Sequence, residues 1–266
     1  METSRPLIRV VAGVVLDRQG RYLLSSRPEG KPYAGYWEFA GGKVEAGESE
    51  FAALRREFEE ELGIHIETAR PWLTKIHDYE HARVHLRFWR VEAGGWSGEI
   101  QAREGQKWSW QRAGDFTVSP MLPANGDLLA ALAVPTQLAG RLKTGFYGEN
   151  GMGGYRVVPF ALAEPQHANV LIGEPELRAR GKMPAAQSVW VVIDKAEQWP
   201  LIQDADVAVW RVPNREAAEA VCAVLENGVS LPLVVLADES TLAAYRRRWL
   251  EKGAHAVIAD DETEFA

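Results

Sequence analysis

The sequence predicts an α/β chain in two domains, residues 1–134 and 135–266. Three observations carry that expectation. A length of 266 residues exceeds that of a typical single domain. Between Gly41 and Ile64, a glycine-bearing loop runs into one amphipathic helix set among short strands. After Pro135, short continuous apolar runs alternate with amphipathic helices, the pattern of parallel βα units.

In chain order, residues 8–16 read as a strand, 17–20 as its turn, and 22–26 as the returning strand. A loop with Pro28, Gly30 and Pro32 leads to Trp37-Glu38-Phe39. The helix after Glu48 is closed by Gly63. Phe51, Leu54, Phe58 and Leu62 recur at steps of three or four and form a stripe that must pack on a sheet. A linking segment reaches residues 72–76, and 84–91 reads as a central strand. His77, His81 and His85 are four apart, but the β-rich setting favours strand or surface histidines over a zinc site. In the second half, residues 140–154 are glycine-rich and read as a flexible or substrate-facing loop. Strands are expected at 188–193, 207–212, 233–236 and 256–259, with helices at 195–201, 215–225 and 240–252.

Composition excludes several classes. At 46% hydrophobic and 25% charged residues, the chain is globular. A net charge of -7 argues against stable nucleic-acid binding, which needs a basic surface. The single cysteine, Cys222, rules out an intrachain disulfide and suits a reducing compartment. There is no apolar run of membrane-spanning length and no secretory leader, so the expected location is cytoplasmic, with no membrane partner. The sequence leaves the oligomeric state open.

The chemistry gathers on one helix. Glu57, Glu60 and Glu61 stand at i, i+3 and i+4, so their carboxylates share the side away from the apolar stripe and repel one another. A divalent cation would offset that repulsion, and magnesium favours oxygen ligands while bridging to phosphate.

From Gly42 the chain gives G, five residues, Glu48, seven residues, Arg56-Glu57-Phe58, one residue, Glu60-Glu61, one residue, Gly63-Ile64. This resembles the complete box of the Nudix hydrolases, which cleave a nucleoside diphosphate linked to another moiety. The resemblance implies an α/β/α sandwich with a mixed sheet for residues 1–134. It also implies magnesium, or manganese in its place, held by Glu57, Glu60, Glu61 and the Gly41 carbonyl. Glu48 and Arg56 match the pair that ties loop to helix, with Gly42 and Gly63 as structural glycines. Arg27 stands where the family places a phosphate-contacting arginine; by residue type alone it is a solvent-facing arginine at a strand end. Lys43 is a candidate phosphate neighbour.

The run Trp37-Glu38-Phe39-Ala40-Gly41-Gly42-Lys43 resembles that of the 8-oxo-dGTP diphosphatases, with Ala40 replacing a proline. In those relatives the position of Phe39 lies by the base; otherwise it is a core aromatic. Glu104, in Glu-Gly-Gln before a tryptophan, matches a glutamate that completes the metal site or accepts the water proton; otherwise it is a loop acid. Asn125, in Pro-Ala-Asn, matches an asparagine that reads the purine edge, or else caps a helix beginning near Gly126. The arginine expected before the 84–91 strand lacks a clear counterpart, since Ala82 falls near its place and Arg83 one step later.

The expected activity is metal-dependent hydrolysis of a nucleoside triphosphate, foremost 8-oxo-dGTP, to monophosphate and pyrophosphate. NADH, ADP-ribose or a dinucleotide polyphosphate are alternative substrates, and a non-catalytic nucleotide-binding module is the rival reading. The second half resembles a shortened thiamine phosphate synthase-like domain, with either a partial barrel or a small open sheet as its architecture.

Overall fold

A computed structural model describes residues 7–78 and 83–260. The chain separates into two compact units, Met1–Leu132 and Ala133–Ala266. No helix among the described residues is long and apolar enough to cross a membrane.

The first unit is built around β1 (Leu7–Val15), followed by β2 (Tyr22–Ser26), β3 (Trp37–Glu38), β4 (Gly41–Lys43) and helix α1 (Glu50–Leu62). Then come β5 (His65–Ile66), β6 (Arg70–Asp78), β7 (Arg83–Val91), β8 (Trp96–Ser97), β9 (Trp108–Gln111) and helix α2 (Gly126–Leu132). The linking segment expected after Gly63 is therefore β5 and most of β6. The main sheet runs β4-β1-β7-β6 and is mixed: β1 is parallel to β7, while β4 and β6 pair antiparallel at the edges. A second, antiparallel sheet runs β3-β2-β9.

Alternation along β7 sorts its side chains between two faces. Val84, Leu86 and Phe88 are buried and face a cavity, whereas the Trp89 ring packs at a tilt against that of Phe51 of α1, centroids 5.9 Å apart. On α1, Leu54, Phe58 and Leu62 are fully buried among Val11, Val15, Leu23 and Val91. The helix lies so close to β1 that a Cβ on Gly13 would meet the Phe58 ring at 2.6 Å. That contact explains a glycine inside the buried, apolar half of the strand. His77 and His85 stand on the paired strands β6 and β7, and Arg83 opens β7 beside Asp78 at 3.6 Å. His81 and Ala82 lie outside the described residues.

The second unit continues with β10 (Leu138–Arg141), β11 (Gly145–Asn150), β12 (Gly153–Pro159), β13 (Asn169–Gly173), α3 (Glu174–Arg180) and β14 (Ser188–Ile193). It ends with β15 (Val207–Val212), α4 (Arg215–Asn227), β16 (Leu233–Ala237), α5 (Glu239–Lys252) and β17 (Ala256–Ala259). All eight strands form one sheet in chain order, antiparallel from β10 to β12 and parallel from β12 to β17. The sheet curls until β10 lies beside β17, close to a closed barrel. His255 Nε2 meets the Val134 carbonyl oxygen at 3.0 Å across that seam.

Two expectations are corrected here. The glycine-rich stretch 140–154 is a three-stranded meander, not a loop. Its glycines serve close backbone approach: a Cβ on Gly140 would sit 2.2 Å from the Gly145 carbonyl oxygen, and one on Gly145 would sit 2.0 Å from that of Val157. The helix expected at 195–201 is a 3-10 helix, Ala196–Ile202, with Pro200 inside it. Residues two apart on β15, β16 and β17 (Val207 and Val209, Val234 and Leu236, Ala256 and Ile258) point inward with Phe146 and Trp190 to fill the curl.

Candidate active site

The site grows from the ends of α1. The Ser49 side chain accepts from the Ala52 N–H at 3.2 Å, opening the helix. Gly63, at φ 68°, closes it with its N–H on the Glu59 carbonyl. The Arg103 side chain adds a second donor to that carbonyl at 2.7 Å.

Arg56 holds the preceding loop against the helix. Its Nε and Nη2 grip both Glu48 oxygens at 3.0 Å each. Nη2 also donates to the Lys43 carbonyl, and Nη1 reaches Glu57 at 2.8 Å and Glu60 at 3.2 Å. The Arg56 hydrogen bonds, with a further one from the Glu45 N–H, hold the Glu48 carboxyl below its usual range. The Glu57 carboxylate rests on the bare Cα of Gly42, where a Cβ would fall 2.2 Å from its carboxyl carbon.

A cavity of about 380 Å³ opens beside this helix. Glu57 and Glu61 line one wall, with Gly41, Gly42 and Lys43 beside them. Phe39, Leu86, Phe88 and Leu122 form an apolar slot, where the Phe39 and Phe88 rings meet edge to face at 6.3 Å. Asn125 reaches the same cavity from the end of a 3-10 turn, Pro123–Asn125. It is 3% exposed, and its amide nitrogen is buried without a hydrogen-bond partner.

The residues singled out in the sequence thus divide. Arg27, Phe39, Gly41, Gly42, Lys43, Glu57, Glu61 and Asn125 meet at one cavity. Glu60 lies a step round the helix, its side chain 60% exposed and drawn toward Arg56. Glu104 stands at the rim, bonded to Lys31 rather than lining the wall.

Three further residues carry the site and escaped sequence reasoning. Glu38, in the run Trp37-Glu38-Phe39, binds Arg27 Nη1 through both oxygens at 2.8 and 2.7 Å. Burial raises the Glu38 carboxyl, with Arg27 opposing. Lys31 donates to Glu104 at 2.6 Å and lies 3.8 Å from Glu61. Burial works against its charge, yet the Glu104 hydrogen bond and the Glu61 field outweigh it and raise the ammonium above its ordinary range. Gln106 is buried; its Nε2 donates to the Glu61 carbonyl at 2.6 Å and its Oε1 accepts from the Glu104 N–H at 2.9 Å.

Burial pushes the Glu61 carboxyl up to about 7; Lys31 opposes that shift, while Glu104, Glu57 and Glu38 add to it. Among the described residues, no three acidic, histidine or cysteine side chains form a ready-made metal cage. The donor chemistry nevertheless suits a hard divalent ion, being carboxylate and carbonyl oxygen only. The Lys31 ammonium between Glu61 and Glu104 marks the place as one that accepts positive charge.

Residues 11–131 match the model of the NUDIX domain. A CTP pyrophosphohydrolase of Escherichia coli (strain K12) is 38% identical over 125 residues, covering 47% of this chain and 90% of that relative. An 8-oxo-dGTP diphosphatase of Haemophilus influenzae is 35% identical over 129 residues, covering 48% and 93%. Among solved structures, the E. coli ORF135 protein is 39% identical with a TM-score of 0.42, covering 48% of this chain and 89% of that one.

Proposed function

This chain belongs to the Nudix hydrolase family, and on that premise we propose that it hydrolyses a nucleoside triphosphate to the monophosphate and pyrophosphate, with 8-oxo-dGTP the preferred type of substrate. Glu57, Glu60, Glu61 and the Gly41 carbonyl would hold magnesium or manganese, with Glu104 completing the set. The ion would supply Lewis acidity toward phosphate oxygens and a lowered pKa for water.

The chain's own residues do the rest. Arg27, oriented by Glu38, and Lys43 bind phosphate oxygens at the cavity wall. Glu104 or a glutamate of α1 accepts the proton of the attacking water. The slot of Phe39 and Phe88 takes the faces of the base and excludes water from it.

The observation that carries the purine reading is the orphaned Asn125 amide. A buried donor left unpaired costs about 1–3 kcal/mol, and a base carbonyl entering the slot would satisfy it. The amide offers a donor and an acceptor side by side, which suits a modified purine edge. The relative named for CTP favours a second reading, in which the slot takes a cytosine nucleotide.

The test is kcat/KM on the full chain in magnesium for 8-oxo-dGTP, dGTP, CTP, NADH, ADP-ribose and a dinucleotide polyphosphate, with products identified. The purine reading expects 8-oxo-dGTP to lead, and Asn125→Ala to lower its preference over dGTP at least about tenfold. A wild type that prefers CTP, or an Asn125→Ala variant with unchanged preference, overturns it.

A further inference from the structure

We propose that Lys31 is a built-in counter-ion of the active site: its ammonium holds the place between Glu61 and Glu104 until a divalent ion binds, and is then released onto the phosphates of the nucleotide. The inference rests on the hydrolase reading above and adds to it a positioning residue that couples ion binding to substrate binding.

The geometry carries it in three steps. First, Lys31 Nζ lies 2.6 Å from Glu104 Oε2 and 3.8 Å from Glu61 Oε1, so one ammonium is shared by two carboxylates of the proposed metal set. An ammonium and a divalent ion repel, and both cannot take those oxygens together.

Second, the loop that carries Lys31 is fastened at its base, and beyond Lys31 the Pro32 and Tyr33 carbonyls accept from Arg27 Nε at 2.6 Å and from the Tyr36 N–H at 3.0 Å. The Arg27 N–H donates to the Tyr36 carbonyl at 2.8 Å, and the Gly35 N–H to the Arg27 carbonyl at 2.9 Å. Toward the tip, the Lys31 N–H reaches the Pro28 carbonyl at only 3.4 Å, and Gly30 has nothing within 4 Å of where a Cβ would be. The tip also contains Tyr33 at φ 60°, a left-handed conformation that is costly outside glycine. The Lys31 side chain, 44% exposed, can therefore shift while the backbone on either side of it stays in register.

Third, the released side chain has a destination. Arg27, Lys31, Pro32 and Tyr33 all line the cavity, so Lys31 leaves the carboxylates without leaving the site. Arg27 is meanwhile engaged by Glu38 and by the Pro32 carbonyl at 2.6 Å. Lys31 has the flexible four-carbon stem that lets a point charge move from carboxylate to phosphate.

The experiment begins with Mn2+ binding to the full-length protein without nucleotide, followed by electron paramagnetic resonance, for wild type, Lys31→Ala and Lys31→Arg. Lys31 and Glu104 are each about two-fifths exposed, so their pairing is of modest strength. Lys31→Ala should therefore bind Mn2+ about threefold to fivefold more tightly, with Lys31→Arg close to wild type. In steady-state hydrolysis Lys31→Ala should raise KM about tenfold while kcat stays within about twofold, and Lys31→Arg should restore KM. Equal or weaker Mn2+ binding by Lys31→Ala, or an unchanged KM, overturns the inference while leaving the hydrolase reading intact. A wild type that neither binds Mn2+ nor hydrolyses any nucleotide overturns both.

Discussion

Both carboxylate oxygens of Glu38 close on a single nitrogen of Arg27, at 2.8 and 2.7 Å. Arg27 thereby projects into the cavity from the end of β2 in one orientation. Glu38→Gln should keep the fold but loosen that orientation, raising KM for the nucleotide about tenfold with a smaller change in kcat. Steady-state kinetics check it; a KM equal to wild type would show that Arg27 needs no partner.

Gly42→Ala should act on Glu57 without touching its chemistry. The added methyl would fall 2.2 Å from the Glu57 carboxyl carbon, so the carboxylate must swing away from the loop. We expect a loss of about 1–3 kcal/mol in stability and weaker Mn2+ binding, measured by thermal melting and titration. Retained Mn2+ affinity would argue that Glu57 does not serve the ion.

Arg56→Ala removes the group that Glu48, Glu57 and Glu60 share. It should cost about 1–3 kcal/mol by denaturant unfolding. Arg56→Lys should recover only part of this, because an ammonium cannot fork across both Glu48 oxygens.

The Glu61 carboxyl, raised from 4.5 to about 7 mainly by burial, makes stability depend on pH. Between those values the folded chain holds a proton that the unfolded chain has released. Its contribution is therefore full below pH 4.5 and is lost as pH rises through 7. In chelator, wild type should lose denaturation midpoint relative to Glu61→Gln over that window, and parallel midpoints would exclude the raised carboxyl.

Gly145→Ala tests the meander of the second unit. At φ 89° and with its Cβ 2.0 Å from the Val157 carbonyl oxygen, the variant should lose at least about 1–3 kcal/mol. Gly151→Ala, at a position with open space around it, should be near neutral. Equal melting of the two would contradict the β10–β12 pairing.

What the sequence showed of this molecule was what lies close together along the chain. The Glu48–Arg56 pair, the α1 stripe and the Gly63 cap are local, and spacing alone exposes them. Lys31 and Glu104 are 73 residues apart, and no periodicity announces such a meeting. Gly140 and Gly145 were misread as looseness because a letter does not say whether a glycine frees the backbone or lets two strands touch. The barrel-like curl was legible as one of two architectures, a partial barrel beside a small open sheet. An antiparallel meander adds strands with short turns and needs no crossover helix, which is how so short a unit reaches eight strands.

Gln106 spans from the backbone of Glu61 to the backbone of Glu104. Two acids from distant parts of the chain are thus yoked by one neutral crossbar that bears no charge of its own. Any drift of the rim is handed to the last turn of the helix, and the spacing of the two backbones becomes a property of an amide's length.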